Sequence, residues 1–162
     1  IPSFESRNTE LIHYCLKHFK HLLISTGTST FNEMRSIVVN IPHDRYTLLH
    51  CVSSYPCDFN IVNLPRMNTL KQLSNSVGFS DHAQGIESAV LSIGMGANFI
   101  EKHFTTDNDL PGRDNKFAIL PKDMKRLSEY IKISNKVMSS KGNDYQECER
   151  DSRENYTGRF DG

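Results

Sequence analysis

Short apolar runs that end in small polar residues alternate in this chain with segments whose apolar residues recur at helical spacing. The runs cover residues 22–26, 46–53, 77–80 and 97–103. Their length and their lack of polar alternation predict strands buried on both faces, as in a parallel sheet. Between them, residues 9–20 place Ile12, Leu16 and Phe19 on one helical face, with Asn8 or Thr9 as cap. Thr30-Phe31-Asn32-Glu33 is a capping box that opens a second helix. Leu64 and Pro65 open a third, with Met67, Leu70 and Leu73 as its stripe. A fourth starts near Ile86, carries Ala89, Val90 and Ile93, and stops at Gly94 or Gly96. Pro121 opens a fifth, striped by Met124, Leu127 and Ile131. Strand and helix in strict succession predict a parallel α/β architecture.

The repeat interval sharpens this. Ser3, Ser25, Ser53 and Ser80 each lie at or just after the carboxyl end of an expected strand, and His103 ends the next. The steps are 22, 28, 27 and 23 residues, one βα unit each. Five strand ends make a little over half of an eight-stranded barrel, whose usual length is about 250 residues. The expected fold is therefore a (β/α)8 TIM-type barrel, of which this chain covers roughly strands 4 to 8 with their helices. A five-stranded doubly wound sheet is the alternative, but no glycine-rich phosphate loop follows any strand. Residues 1–138 read as the C-terminal portion of the barrel. Residues 139–162, polar and poor in apolar side chains, read as a linker or tail.

Composition excludes some classes. The 19 basic residues balance 19 acidic ones, so no basic field points to nucleic acid. Small molecules or other subunits are the expected partners. The longest apolar runs are too short to span a bilayer, so no membrane association is expected. The start, Ile1-Pro2-Ser3-Phe4-Glu5, has neither the basic opening nor the apolar stretch of a signal peptide, and no initiating Met. It reads as the middle of a longer, cytoplasmic protein. Cys15, Cys51, Cys57 and Cys148 form no Cys-x-x-Cys pair and are expected as reduced thiols.

The chemistry gathers at the strand ends, as it does in α/β folds. His82 ends one strand and His103 the next, and adjacent strands lie about 4.8 Å apart. If Ser80 faces into the barrel, alternation brings His82 inward too, and His103 with Glu101, while Lys102 faces out. A lone histidine near a strand end is ordinarily a satisfied structural residue. Two at matching ends, beside a ring of serines, point to a shared divalent ion with open positions for substrate. The serine hydroxyls suit an anionic substrate. The long loop of residues 104–117 mixes acids, bases and an aromatic, which suits a sugar but equally a solvated surface. Tyr55, at the mouth of its strand, offers a ring face and a hydroxyl, or simply packs on its neighbours. His13, His18, His21, His43 and His50 show no such relation.

Four ordered segments carry a resemblance: Leu49-His50-Cys51-Val52-Ser53-Ser54-Tyr55-Pro56, Val77-Gly78-Phe79-Ser80-Asp81-His82, Ile100-Glu101-Lys102-His103-Phe104-Thr105, and Leu110-Pro111-Gly112-Arg113-Asp114-Asn115-Lys116. With Ile1-Pro2-Ser3-Phe4-Glu5 and Ile24-Ser25-Thr26-Gly27, they resemble the sialic acid synthase family over roughly residues 1–138. The resemblance implies a β/α barrel followed by a small antifreeze-like domain that reaches into the partner's site in a domain-swapped homodimer. It implies condensation of phosphoenolpyruvate with an N-acetylated aldose, typically N-acetylmannosamine, to a nine-carbon 2-keto acid, with release of phosphate. Residue by residue, it implies His82 and His103 as catalytic ligands of manganese, or of magnesium or cobalt, polarising the aldehyde. Ser3, Ser25, Ser53 and Ser80 then hold phosphoenolpyruvate, Ser53 standing where some members carry Asn. Glu5, Tyr55 and Asp114 match sugar-contacting positions. The family's catalytic glutamate, its phosphate-binding lysines and its antifreeze-like domain have no counterpart here, so the isolated segment is expected to be inactive. Two other readings stay open: a non-catalytic metal- or sugar-binding barrel remnant, and a related synthase with a different sugar.

Overall fold

The computed structural model of the chain describes residues 1–160. Four strands form one parallel sheet in sequential order: β1 (Leu22–Ser25), β2 (Tyr46–Cys51), β3 (Val77–Asp81) and β4 (Ile100–Lys102). Helices cross between them: α1 (Thr9–His18), α2 (Phe31–Val38), α3 (Arg66–Leu70) and α4 (Glu87–Gly94), with α5 (Pro121–Val137) after β4. Sequential parallel order with a helix per crossover is the topology of a barrel wall, and the sheet curls into a half-barrel.

The strand count differs from the expectation of five. Ser3 opens a 3-10 turn, Ser3–Glu5, instead of ending a strand. Ile1 nevertheless lies beside β1: its carbonyl accepts from the Ser25 N–H at 3.0 Å, and its nitrogen donates to the Leu23 carbonyl at 2.8 Å. On the far side, an isolated parallel bridge joins Phe104 to Ile119. The barrel-type architecture is thus observed as four strands with a pairing stub at each edge.

Alternation sorts the strand residues into two layers. Leu22, Ile24, Tyr46, Leu48, Val77 and Phe79 face the helices and pack with Ile12, Met34, Val38, Met67, Leu70 and Leu73 into one buried core. A smaller cluster, Ile86, Ala89, Ile119 and Leu127, joins α4 to α5. The opposite parity, which includes Ser25, Cys51 and Ser80, faces the concave side. Local chemistry sets the helix starts. Asn8 caps α1 by accepting from the Leu11 N–H at 3.0 Å. Thr30 and Glu33 form the reciprocal box at the head of α2, with Glu33 accepting from the Thr30 N–H at 2.7 Å. Pro121 sits in the first turn of α5.

Two helices differ in detail from their sequence patterns. Helix α3 has only five residues, because after Leu70 the Gln72 and Leu73 N–H groups turn to the i−3 carbonyls of Thr69 and Leu70 and tighten the chain into turns. Of the α5 stripe, Leu127 is buried, while Met124 and Ile131 stay partly exposed. Residues 139–160 are exposed throughout and include a short helix, α6 (Arg150–Asn155). Among the described residues, no helix is long and apolar enough to cross a membrane.

Candidate active site

The carboxyl ends of β2, β3 and β4 bring one group of polar and aromatic side chains together. Strand β3 pairs with β4 in the register Phe79 to Ile100, Ser80 to Glu101 and Asp81 to Lys102. His82 and His103 follow as the next residues of each strand. Their ring centroids lie 5.3 Å apart, and the Ser80 hydroxyl donates to Glu101 Oε1 at 2.7 Å on the same face. The inward parity expected of Ser80, His82, Glu101 and His103 is therefore observed.

His82 has one nitrogen hydrogen-bonded, while His103 has a carboxylate near one nitrogen but beyond hydrogen-bond distance. His82 Nδ1 donates to the Val52 carbonyl at 3.0 Å, a better partner than Cys51 Sγ at 3.8 Å. His103 Nδ1 lies 3.6 Å from Asp114 Oδ2. The Nε2 atoms make no hydrogen bond among the described residues. An imidazole whose Nδ1–H is held by a carbonyl or carboxylate presents Nε2 as a bare lone pair, the arrangement seen in metal-binding histidines. The pair fits a divalent ion on donor chemistry. No third His, Cys, Asp or Glu completes a cluster among the described residues, so most coordination positions would fall to water or substrate oxygens.

Aromatic rings wall this pair. Tyr55, joined to Pro56 by a cis peptide bond, lies 4.2 Å from the His82 ring and 5.9 Å from the His103 ring, centroid to centroid. Phe117 lies 5.1 Å from His103 and 6.3 Å from Tyr55. Phe117 is held in place because its loop braces itself. Asn108 Nδ2 donates to the Asn115 and Ala118 carbonyls at 2.6 and 2.9 Å, and Ile119 N–H to the His103 carbonyl at 2.9 Å. A cavity of about 710 Å³ opens here, lined in part by Ser53, Tyr55, Arg113, Asp114, Lys116 and Phe117. A second, more apolar hollow of about 460 Å³ beside Phe59, Val62 and Leu91 lacks such converging polar groups.

The serines fall into three settings. Ser3 and Ser53 flank Cys51: Ser3 Oγ donates to Cys51 Sγ at 3.2 Å, and Ser53 Oγ lies 3.8 Å from it. Both hydroxyls crowd over Gly27, where an added Cβ would collide with Ser53 Oγ and lie 2.6 Å from Ser3 Oγ. Ser80 is bonded to Glu101 as described. Ser25 is buried at the end of β1, and its hydroxyl makes no hydrogen bond among the described residues. Glu5 lies in the 3-10 turn Ser3–Glu5. Its carboxylate accepts from Asn8 Nδ2 at 2.8 Å beside the start of α1.

Cys51 and Phe117 are site residues that sequence reasoning passed over. Strand parity could have found Cys51, which lies two residues before Ser53. Phe117 had no periodic signal, because a loop placed it. Burial pushes the Cys51 thiol up, but bonding to His82, Ser3 and Ser53 outweighs burial and holds it below the ordinary cysteine value. Burial likewise pushes His82 down, yet its contacts with Cys51 and the Val52 carbonyl leave it above the ordinary histidine value. His103 moves the other way: burial and the neighbouring charge of His82 lower it, against opposing pulls from Asp114 and Glu101. Burial raises the Tyr55 phenol, which stays protonated and able to donate.

Comparison with known proteins gives the family of the chain. The profile of the NeuB family matches residues 1–143. N,N'-diacetyllegionaminic acid synthase of Legionella pneumophila is 39% identical over 86% of this chain and 42% of its own length. N-acetylneuraminate-9-phosphate synthase of Drosophila melanogaster is 31% identical over 81% of this chain and 37% of its own. The crystal structure of N-acetylneuraminic acid synthetase from Leptospira borgpetersenii in complex with citrate superposes with a TM-score of 0.85 at 30% identity, covering 98% of this chain and 56% of that one. The chain spans less than half the length of these curated relatives. Fold, site and sequence together place the chain in the NeuB family of sugar-acid synthases.

Proposed function

We propose that the intact protein condenses phosphoenolpyruvate with an N-acetylated aldose, N-acetylmannosamine or an analogue, to a nine-carbon 2-keto sugar acid and phosphate. The observation that carries this reading is the pair of imidazoles at adjacent strand ends, 5.3 Å apart, with His82 Nδ1 bonded to the Val52 carbonyl and Asp114 beside His103 Nδ1. His82 and His103 would hold a divalent ion, manganese first and magnesium or cobalt as alternatives, which when bound supplies Lewis-acid polarisation of the aldehyde oxygen.

The chain's own residues bind and orient the substrates. Ser3, Ser25, Ser53 and Ser80 orient the phosphoenolpyruvate so that its third carbon faces the aldehyde carbon. The π pair of the enol forms the new bond from the third carbon to the aldehyde carbon, whose oxygen takes up a proton; water adds to the cationic second carbon and loses a proton, and the C–O bond to phosphate breaks as the 2-keto group forms. Holding two substrates in line removes much of the entropic barrier. Tyr55 and Asp114 contact the sugar at the 710 Å³ cavity, with Phe117 excluding water from its wall. Glu5 is assigned to the sugar as well, through a movement that frees it from Asn8. The serines carry no charge, so cations must balance the phosphate and carboxylate. Arg113 and Lys116 stand at the cavity's rim, and further lysines and a catalytic acid belong to parts of the protein outside residues 1–162.

We place the reaction in the cytoplasm, which agrees with four free cysteines. The active form is assigned as a domain-swapped homodimer, with residues 139–162 as the linker from the barrel. A related sugar is also supported, since the legionaminic acid synthase of L. pneumophila is 39% identical. The test is to incubate the full-length protein with phosphoenolpyruvate and a panel of N-acetylated and di-N-acetylated hexoses, then identify products by mass spectrometry. A nine-carbon keto acid from one member supports the proposal. No product from any member, in the presence of divalent metal, favours a non-catalytic binding role.

A further inference from the structure

Directly behind the two histidines, on the helix-facing side of the sheet, lies a buried ion pair. Lys102 Nζ is 3.1 Å from Asp81 Oδ2, with side chains 2% and 0% exposed. Asp81 precedes His82 and Lys102 precedes His103, and the two are register partners. Every polar atom of the pair is engaged. Asp81 Oδ2 accepts from the Ser88 hydroxyl at 2.7 Å, Asp81 Oδ1 accepts from the Ala83 N–H at 2.9 Å, and Lys102 Nζ donates to the Ala83 carbonyl at 2.5 Å. Residues 81 and 83, which flank His82, are thus both tied to residue 102, which precedes His103. Ser88, in the first turn of α4, ties the helix into the same network.

Burying two charges is a poor way to stabilise a fold. The desolvation cost can exceed the attraction, and a well-packed apolar pair is often as stable or more so. What such a pair gives is fixed geometry. Strand β4 needs it, because it has only three residues, Ile100–Lys102, and is only partly buried. On the inner face, the Ser80–Glu101 bond ties the same strands through an exposed carboxylate. A binding constellation must be held within about 0.5 Å and 10–20° by its supporting residues.

We propose that the Asp81–Lys102 pair, braced by Ser88, is a positioning device that sets the separation and orientation of His82 and His103 for one shared divalent ion. It rests on the metal reading given under Proposed function. The pair contributes to metal affinity more than to folding.

The test is calorimetric titration of manganese into the metal-stripped, full-length protein. It compares wild type with the double variant Asp81→Asn/Lys102→Met and with Ser88→Ala, alongside thermal melts without metal. The double variant should bind manganese about 10- to 100-fold more weakly, the usual size of an outer-shell loss, with a metal-free melting midpoint near that of wild type. Ser88→Ala, which introduces no unpaired charge, should show a smaller loss in the same direction. Equal affinity in a folded double variant overturns the inference. If the double variant does not fold, Ser88→Ala decides: weakened binding supports the inference, and unchanged binding overturns it. If wild type binds no manganese, or His82→Ala/His103→Ala binds as tightly as wild type, the metal reading itself fails, which is a distinct result.

Discussion

Tyr55 shows how a single side chain can serve two tasks. Its ring lies against His82 and near His103, while its phenol stays protonated at the cavity. Aromatic contacts of this kind are worth about 0.5–1.5 kcal/mol. Tyr55→Ala should therefore raise KM for the aldose about threefold to tenfold, and Tyr55→Phe should recover the part due to the ring. Steady-state kinetics with the aldose varied separates the two; a wild-type KM in both variants would remove Tyr55 from the sugar site.

His50 makes a second case at this scale. It is fully buried, its Nε2–H donates to the Val62 carbonyl at 2.7 Å, and its Nδ1 has no partner among the described residues. Burial lowers its pKa, against the Val62 bond, with the nearby Arg66 charge adding to the lowering. Below the ordinary histidine value, the unfolded chain binds a proton that the folded chain refuses. The stability linked to His50 is thus complete above about pH 6.5 and is lost as pH falls towards the lowered value. Urea midpoints measured from pH 8 to 5 should fall more steeply for wild type than for His50→Gln, which keeps a donor but does not titrate. Parallel curves would show that His50 takes no part.

At the scale of elements, β3 packs against its neighbours so closely that it carries a glycine. A Cβ at Gly78 would lie 2.5 Å from Leu49 Cδ2 and 2.6 Å from the Phe99 carbonyl oxygen. Backbone cannot retreat as a flexible side chain can. Gly78→Ala should destabilise the protein by about 1–3 kcal/mol through overpacking, read as a lower denaturant midpoint; an unchanged midpoint would mean that β4 shifts freely.

The elements themselves were largely legible in the sequence. All four strands coincide with apolar runs, because a strand buried on both faces needs an unbroken run. The α2 box and the proline start of α5 are local chemistry, readable wherever they occur. Strand parity alone places His82 and His103 on one face. What stayed hidden depends on contacts distant in sequence or on loops. Lys102 was correctly turned outward, but nothing in the spacing named Asp81 as its partner. Phe117 reaches His103 only because Asn108 folds the loop back. Ser3 opens a 3-10 turn, and Glu5 turned to Asn8, a local bond that periodicity does not weigh.

For the whole molecule, a half-barrel raises the question of what covers its concave face and its edges. Parallel sheets are stable when both faces are covered, and an open edge offers unpaired backbone groups. Residues 1–162 expressed alone should associate, giving species larger than a monomer in sedimentation equilibrium. A monodisperse, cooperatively melting monomer would contradict this.

The central claim concerns His82 and His103 as joint holders of one ion that the condensation requires. It is tested most directly by phosphate release from phosphoenolpyruvate in the full-length protein with its accepted aldose, before and after metal removal, for wild type, His82→Ala and His103→Ala. Chelation should abolish release in wild type and manganese should restore it, while neither variant should release phosphate at an appreciable rate with or without manganese. Full activity in either variant, or in the chelated wild type, would contradict the claim.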